Sequence, residues 1–373
     1  MRRLATRAIL TTVFSATLTV TVQPVLVSAA DPKRIAITDP AQVDIDFTYQ
    51  GEYAGAINHP NDGSRHVGLQ VIARGDGKFE SVLCEGGLPG AGWDETTKTP
   101  LSGMLGDGNV TLVTDGLMIL VDGRKATVQD TSGAILGELP KLVRVSPTLG
   151  ASAPPQAIVL FDGGSTENLE GANVTDDGLL EVGTTTKIPV RDFRLHLEFR
   201  LPYMPYATGQ GRANSGVYIQ RRYEVQILDS FGLEGIYNEC GALYRQQPPD
   251  VNMCLPPLSW QTYDIWFRAA RFGEDGEKTE NARITVLHNG VPIHSNREIV
   301  AKTGAGLQES PEPMPILLQD HGNPVNFRNI WIVLGEPTLV EAEVAAAPKR
   351  CVCRPRHTCP IVQRIVSCLR RCR

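Results

Sequence analysis

The chain has 373 residues with 36 basic and 41 acidic side chains, a net charge of −5. Eight of the basic residues fall in residues 345–373, which hold no acid; without them 28 basic residues face 41 acidic ones, a balance of −13, and without Arg2, Arg3 and Arg7 as well it is −16. So acidic a body argues against nucleic acid as a partner, because phosphate binding needs clustered Lys and Arg.

Residues 1–30 carry those three arginines, then an apolar run over 9–27 interrupted by threonines, then Ser28, Ala29 and Ala30. This pattern predicts a signal peptide cleaved near Ala29 or Ala30 and a secreted or periplasmic protein. An uncleaved membrane anchor is the less favoured alternative, since the run approaches the length a bilayer requires. About 340 residues remain, enough for two domains with separate cores.

Residues 31–145 alternate short β-like runs with glycine turns, as in HVGLQVIARGDGKFESVLCEGG, and predict a smaller β-rich N-terminal module. Residues 146–156, SPTLGASAPPQ, are rich in Pro, Ala and Ser and nearly uncharged, the composition of a linker. Residues 157–337 then read as an all-β domain. F-R-L-H-L-E-F-R-L over 193–201 alternates strictly, 215–220 and 223–229 are two further strands, and Asn289-Gly290 between alternating runs is the sharpest hairpin signal. The expected fold is an antiparallel β-sandwich of jelly-roll type. Residues 338–373 form an Ala/Pro linker and a basic tail with five of the eight cysteines; an odd count without paired C-x-x-C spacing disfavours zinc, and the expected role is contact with envelope anions or another thiol. Cys240 and Cys254 flank a Pro-rich loop and are the favoured disulfide in an exported chain.

Two polar islands interrupt the apolar strand patterns, YEVQILDS and LQDHGNPVNFRNIWI. In an extended strand Glu224, Gln226 and Leu228 share a face. A β-sandwich glycosidase would carry a second carboxylate at position 228, so the pair that ordinary glycoside hydrolysis needs is missing. One carboxylate still suffices for removing a proton next to a carbonyl, given donors aimed at the enolate oxygen. Glu224 is the candidate base, and His321, Arg328 and Asn214 are candidate donors; the bland reading pairs Glu224 with Arg222 or Arg328. His321 stands in a turn set by Gly322 and Pro324, either as a proton shuttle or as a residue stiffening the turn against Asp320. Tyr218 and Gln220 share a strand face and, across a hairpin, are expected beside Glu224 and Gln226. Trp260, Trp266 and Trp331 are candidates for stacking on sugar rings or for core packing, and His288 and His294 are expected at the surface. No H-E-x-x-H, G-x-S-x-G, C-x-x-C pair or Gly-rich phosphate loop occurs.

VLFDGGSTENLE, FRLHLEFRL, NSGVYIQRRYEVQILDSFG, CGALYRQQPPDVNMCLPPLSWQTYDIWF, VLHNGVPIHSN and LLQDHGNPVNFRNIWI, in that order, closely resemble the 3-keto-disaccharide hydrolase domain family over residues 157–335. The resemblance implies a concanavalin A-like jelly roll that acts on 3-keto-glucosides or 3-keto-disaccharides. The ketone at C3 acidifies the C2 proton, a base removes it, the C1 oxygen leaves by β-elimination, and water adds to the enone, so the net result is hydrolysis. It implies Glu224 and His321 as catalytic groups whose acid and base roles are interchangeable. Asn214, Tyr218, Gln220, Gln226, Asp320 and Arg328 are the candidate substrate-binding residues. A divalent metal near Glu224, Gln226 and His321 would polarise the ketone. The alternative is a carbohydrate-binding or envelope protein that keeps the sandwich without turnover.

Overall fold

The computed structural model describes residues 31–59, 63–114 and 116–335. The expected signal segment and the basic, cysteine-rich tail lie outside them. Eight strands come first: β1 (Gly51–His59), β2 (Gly63–Ala73), β3 (Lys78–Glu85), β4 (Lys98–Gly106), β5 (Asn109–Thr114), β6 (Leu117–Val121), β7 (Lys125–Asp130) and β8 (Ile135–Leu142). Each pairs antiparallel with the next and β1 closes on β8, giving a barrel. Alternation along the strands turns Tyr53, Ile57, Leu69, Val71, Leu112, Ile119 and Val128 inward, where all are fully buried. Side chains therefore fill the interior, as the geometry of an eight-stranded barrel allows. Asp107 and Gly108 both take positive φ, 49° and 76°, so β4 and β5 are joined by the tight mirror-image turn whose twist suits a hairpin.

The remaining strands are β9 (Ile158–Phe161), β10 (Leu169–Glu170), β11 (Thr185–Thr186), β12 (Phe193–Arg200), β13 (Ser215–Ile219), β14 (Tyr223–Ile227), β15 (Trp260–Arg268), β16 (Arg271–Phe272), β17 (Lys278–Glu280), β18 (Ala282–His288), β19 (Val291–Ile299), β20 (Leu317–Leu318) and β21 (Asn326–Leu334). They form a five-stranded sheet, β10-β11-β20-β13-β14, facing a six-stranded sheet, β19-β18-β15-β12-β21-β9, with β16 and β17 as a separate pair. Val217, Ile219, Val225 and Ile227 of the smaller sheet and Leu195, Leu197, Phe199, Ile265 and Phe327 of the larger one meet in a single buried core. This is an all-β sandwich of antiparallel sheets. Asn289 and Gly290 form the β18–β19 hairpin with φ of 51° and 76°.

Barrel and sandwich share side chains at their junction. Ile72 of β2 belongs to the sandwich core, and Tyr203, just past β12, belongs to the barrel core. Arg144 binds the buried Glu52 carboxylate through two bonds, 2.6 and 2.5 Å, and donates to Pro89 O at 2.7 Å. The chain then runs as a strap across the outer face of the six-stranded sheet. Thr148 Oγ1 donates to Asp264 Oδ2 at 2.7 Å, Gly150 N to Glu198 Oε1 at 2.5 Å, and Ala151 O accepts from Asn329 Nδ2 at 3.0 Å. His196 lies fully buried beneath, Nδ1 2.8 Å from Asp264 Oδ1, stacked on Trp331.

Three expectations are corrected here. Cys240 and Cys254 are free thiols rather than a disulfide; Cys240 Sγ lies 3.3 Å from Tyr263 Oη, and Cys254 Sγ donates to the Leu228 carbonyl. His288 and His294 are fully buried, because their hairpin packs against the loops over 241–255; His288 Nε2 meets Gln261 Oε1 at 2.9 Å and His294 Nε2 donates to Gly241 O at 2.8 Å. Burial disfavours their charged forms and pushes the pKa values down to about 3 and about 4. Finally, β14 ends at Ile227, so Leu228 does not share a strand face with Glu224 and instead joins the core.

Candidate active site

Strand β14 has one face in the core, through Val225 and Ile227, and turns Glu224 and Gln226 the other way. Its register with β13 sets Tyr218 opposite Glu224 and Gly216 opposite Gln226. On the other side a bridge between Val225 and Leu243, with Tyr244 N donating to Glu224 O at 3.2 Å, makes Tyr244 the opposite neighbour of Glu224. The carboxylate thus stands in a row between two tyrosines.

Tyr218 Oη donates to Glu224 Oε2 at 2.6 Å, and both side chains are buried. The other oxygen, Oε1, lies against Gly216, where an added Cβ would come within 2.5 Å of it. From outside, the turn at Gly304 closes down: a Cβ there would sit 2.7 Å from Tyr244 Cδ1 and 3.5 Å from Glu224 Oε2. Thr303 Oγ1, one residue earlier, accepts the Glu224 backbone N–H at 2.7 Å and so ties this turn to the strand. Burial without a compensating cation raises the Glu224 pKa from 4.5 to about 7, with the Tyr218 hydrogen bond as the opposing influence. A carboxyl that titrates near neutrality is suited to take up and return a proton.

Carboxamides surround it. Asn214 Nδ2 donates to Gln210 O and Oε1 at 2.8 and 3.1 Å, and Asn214 N donates to Asn323 Oδ1 at 2.8 Å. Gln210 Nε2 donates to Asn238 O at 2.8 Å. With its amide oxygen and nitrogen exchanged, the orientation that fits its neighbours, Gln226 donates to Ser215 O at 2.8 Å and to Glu224 Oε1 at 3.0 Å. Gln319 follows β20 and donates its N–H to Gly216 O at 2.9 Å. The side-chain oxygens of Gln319 and Asn238 are buried and have no partner among the described residues. Neutral donors and acceptors of this kind match the hydroxyls of an uncharged sugar.

The structure brings Asn214, Tyr218, Glu224 and Gln226 together, commits Gln220 and Arg328 to other partners, and leaves Asp320 and His321 on an exposed turn between Gln319 and Asn323. Gln220 sits past the end of β13 at φ 52°, in the turn; Nε2 donates to Val190 O at 2.7 Å, and Oε1 accepts from Arg222, so its role is to hold the hairpin. Arg328 belongs to the opposite sheet, on its outer face, where Nε donates to Glu198 Oε2 at 2.7 Å and the guanidinium lies over Trp260. Neither it nor Arg222, whose guanidinium goes to Gln308, Ser310 and Glu312, pairs with Glu224. Asp320 and His321 lie on the exposed turn after β20; Asp320 Oδ1 accepts from Gly322 N rather than from His321. Trp266 and Trp331 are buried against Arg194 on the outer face of the large sheet, away from Glu224.

Gln210, Tyr244, Thr303, Asn238, Gln319 and Asn323 were not singled out from sequence. They come from loops with no periodic pattern, and only Gly216, a glycine inside a strand, signals a close approach. The residues present do not suit a divalent metal. Glu224 has amides and phenols for neighbours, His321 is on the exposed turn, and no group of three His, Cys, Asp or Glu that could hold an ion occurs among the described residues.

Residues 156–333 match the family described as 3-keto-alpha-glucoside-1,2-lyase-like domain, and the sandwich is a domain of that family. Membership makes it a glycoside-acting enzyme of hydrolase type. Among solved structures, it is similar to a candidate glycosyl hydrolase from Parabacteroides distasonis, at 35% identity over 49% of this chain and 85% of that one with a TM-score of 0.45. A second candidate glycosyl hydrolase from the same organism shares 17% identity over 48% of this chain and 94% of that one, with a TM-score of 0.37. No curated protein matches the chain.

Proposed function

We propose that the chain is an exported enzyme that cleaves 3-keto-glucosides or 3-keto-disaccharides, with Glu224 as the base that removes the C2 proton. The observation that carries this reading is one buried carboxyl, with a pKa of about 7, set among phenols and carboxamides. Ordinary glycoside hydrolysis requires a second carboxylate acting as acid or nucleophile. The nearest candidate along the chain, Asp229, is committed to Arg212 Nε at 2.6 Å, and residue 228 is a core leucine.

Enolisation requires less. A 3-ketone acidifies the C2–H bond; the Glu224 carboxylate takes that proton, and the electron pair moves onto the ketone oxygen. Collapse of the enolate expels the C1 oxygen and leaves an enone, to which water adds at C1 while Glu224 returns its proton to C2. Asn214 donates to Gln210, and Gln226 to Ser215 O and Glu224 Oε1, so these amides hold the base and frame the site as neutral polar walls. An enzyme that supplies the ketone by oxidising a glucoside at C3 would act before this one.

The test is incubation of the purified protein with 3-keto-trehalose or a simple 3-keto-glucoside, with release of 3-ketoglucose as the readout. Turnover by wild type and its loss in Glu224→Gln is the expected result. Binding without turnover would make the domain a carbohydrate-binding protein instead.

A further inference from the structure

The base accounts for one proton in this reaction and leaves another without a source. When the C1–O bond breaks, the departing oxygen of a sugar or alkyl alcohol needs a proton, since a free alkoxide is a very poor leaving group. Glu224 is receiving a proton at that stage and cannot give one. Tyr218 already spends its hydroxyl hydrogen on Glu224 Oε2. His321 is on the exposed turn after β20 and makes no hydrogen bond among the described residues.

Tyr244 is placed differently. It is the strand neighbour of Glu224 on the side opposite Tyr218, and its side chain leaves the sheet on the same face, because its predecessor Leu243 enters the core beside Val225. Directly opposed side chains in such a pair begin about 5 Å apart. The ring edge is fixed by Gly304, the same turn that closes over Glu224 Oε2. Only glycine fits there, with φ of +33° and Tyr244 Cδ1 at 2.7 Å from the position a Cβ would take. Arg245 lies 5.5 Å from the ring centroid on one side. The hydroxyl makes no hydrogen bond among the described residues, and the side chain is only partly buried, so its proton remains available to a molecule bound against Glu224.

Resting on the elimination reading above, we propose that Tyr244 is a catalytic residue, the acid that protonates the departing C1 oxygen. The accounting closes without an added reagent. Glu224 takes the C2 proton as the C1–O bond breaks and C1=C2 forms, and the Tyr244 hydroxyl gives its proton to the leaving oxygen. In hydration a water molecule gives a proton back to the Tyr244 phenolate while its hydroxide adds to C1, and Glu224 returns its proton to C2. Both side chains finish as they began, and the net change is one water consumed.

The experiment compares wild type, Tyr244→Phe and Glu224→Gln on two substrates, 3-keto-trehalose and 4-nitrophenyl 3-keto-glucoside, with melting temperatures for all three. Nitrophenolate leaves without protonation, whereas the sugar alcohol does not. Tyr244→Phe should lose about a hundredfold in kcat on 3-keto-trehalose and stay within about threefold of wild type on the nitrophenyl substrate. Equal loss on both substrates, or none on either, overturns the assignment while wild-type turnover and an inactive Glu224→Gln leave the elimination reading standing. Inactive wild type on both substrates overturns that reading and this assignment with it.

Discussion

The Tyr218 hydroxyl donates to Glu224 Oε2 at 2.6 Å, a short bond between two buried groups on neighbouring strands. It is the influence that opposes burial and favours the ionised carboxylate. Such a bond to a charged acceptor contributes about 1.5–3 kcal/mol, and one pH unit corresponds to about 1.4 kcal/mol. Tyr218→Phe should therefore move the acidic limb of the kcat/KM profile about one unit or more upward, from a starting point near 7. An unmoved limb in a folded variant would show that Tyr218 only packs.

The same carboxyl has a consequence for stability. Its pKa is about 7 when folded and 4.5 in the free side chain, so between those values the folded state holds a proton that the unfolded state has released. Its stability contribution is fully present below pH 4.5 and is lost as pH rises through about 7. Glu224→Gln keeps an acceptor for Tyr218 and cannot ionise. It should melt higher than wild type at pH 8, by up to about 3 kcal/mol of stability, with the advantage shrinking towards pH 4.5. Parallel melting curves across that range would contradict a buried, reluctantly charged Glu224.

Gly216 sits opposite Gln226, and its missing side chain leaves the space that Glu224 Oε1 fills. Gly216→Ala would put a methyl 2.5 Å from Oε1 and 3.0 Å from Cγ, so the carboxyl must rotate away. Its backbone φ is not in the left-handed region, so alanine suits the strand itself. The expected outcome is a fold that survives and a kcat at least about tenfold lower, read from turnover beside the far-ultraviolet circular dichroism spectrum. Full activity would mean that the position of Oε1 is not demanding.

The strands were legible because their signals are local. The alternation in 193–201 gives β12 and Asn289-Gly290 gives the β18–β19 hairpin, whereas the comparison of position 228 with Glu224 assumed a strand that runs one residue further than β14 does. The placement of Arg328 was not legible. Period two tells which residues share a face of a strand, but not which sheet the strand joins, and β21 pairs with β12 rather than with the strands that carry Glu224. Tyr244 was missed for the same reason: a loop residue becomes the neighbour of Glu224 only through a long-range bridge. For His288 and His294, hairpin position suggested exposure, whereas packing of the loops over 241–255 decided it.

The strap across the large sheet is a stability element remote from the chemistry. Glu198 is buried and accepts from Gly150 N, Asn329 Nδ2 and Arg328 Nε at 2.5, 2.9 and 2.7 Å. Burial on its own would raise its pKa, but the nearby His196 ring and the bonds from Asn329, Gly150 and Arg328 outweigh it and hold the value at about 2. Glu198→Ala would leave Gly150 N–H and Asn329 Nδ2 without their charged acceptor, a loss of about 1.5–3 kcal/mol for such a bond, while the half-exposed Arg328 is solvated and adds little. It should lower the melting temperature markedly at pH 7. Because the folded pKa is depressed, the carboxylate's contribution is present above pH 4.5 and fades as pH falls through about 2, so the gap between variant and wild type should narrow in acid. At a temperature where both are folded, kcat should be unchanged, since Glu198 lies on the outer face of the sheet opposite the one that carries Glu224. A fall in kcat without a fall in melting temperature would instead place Glu198 in the reaction.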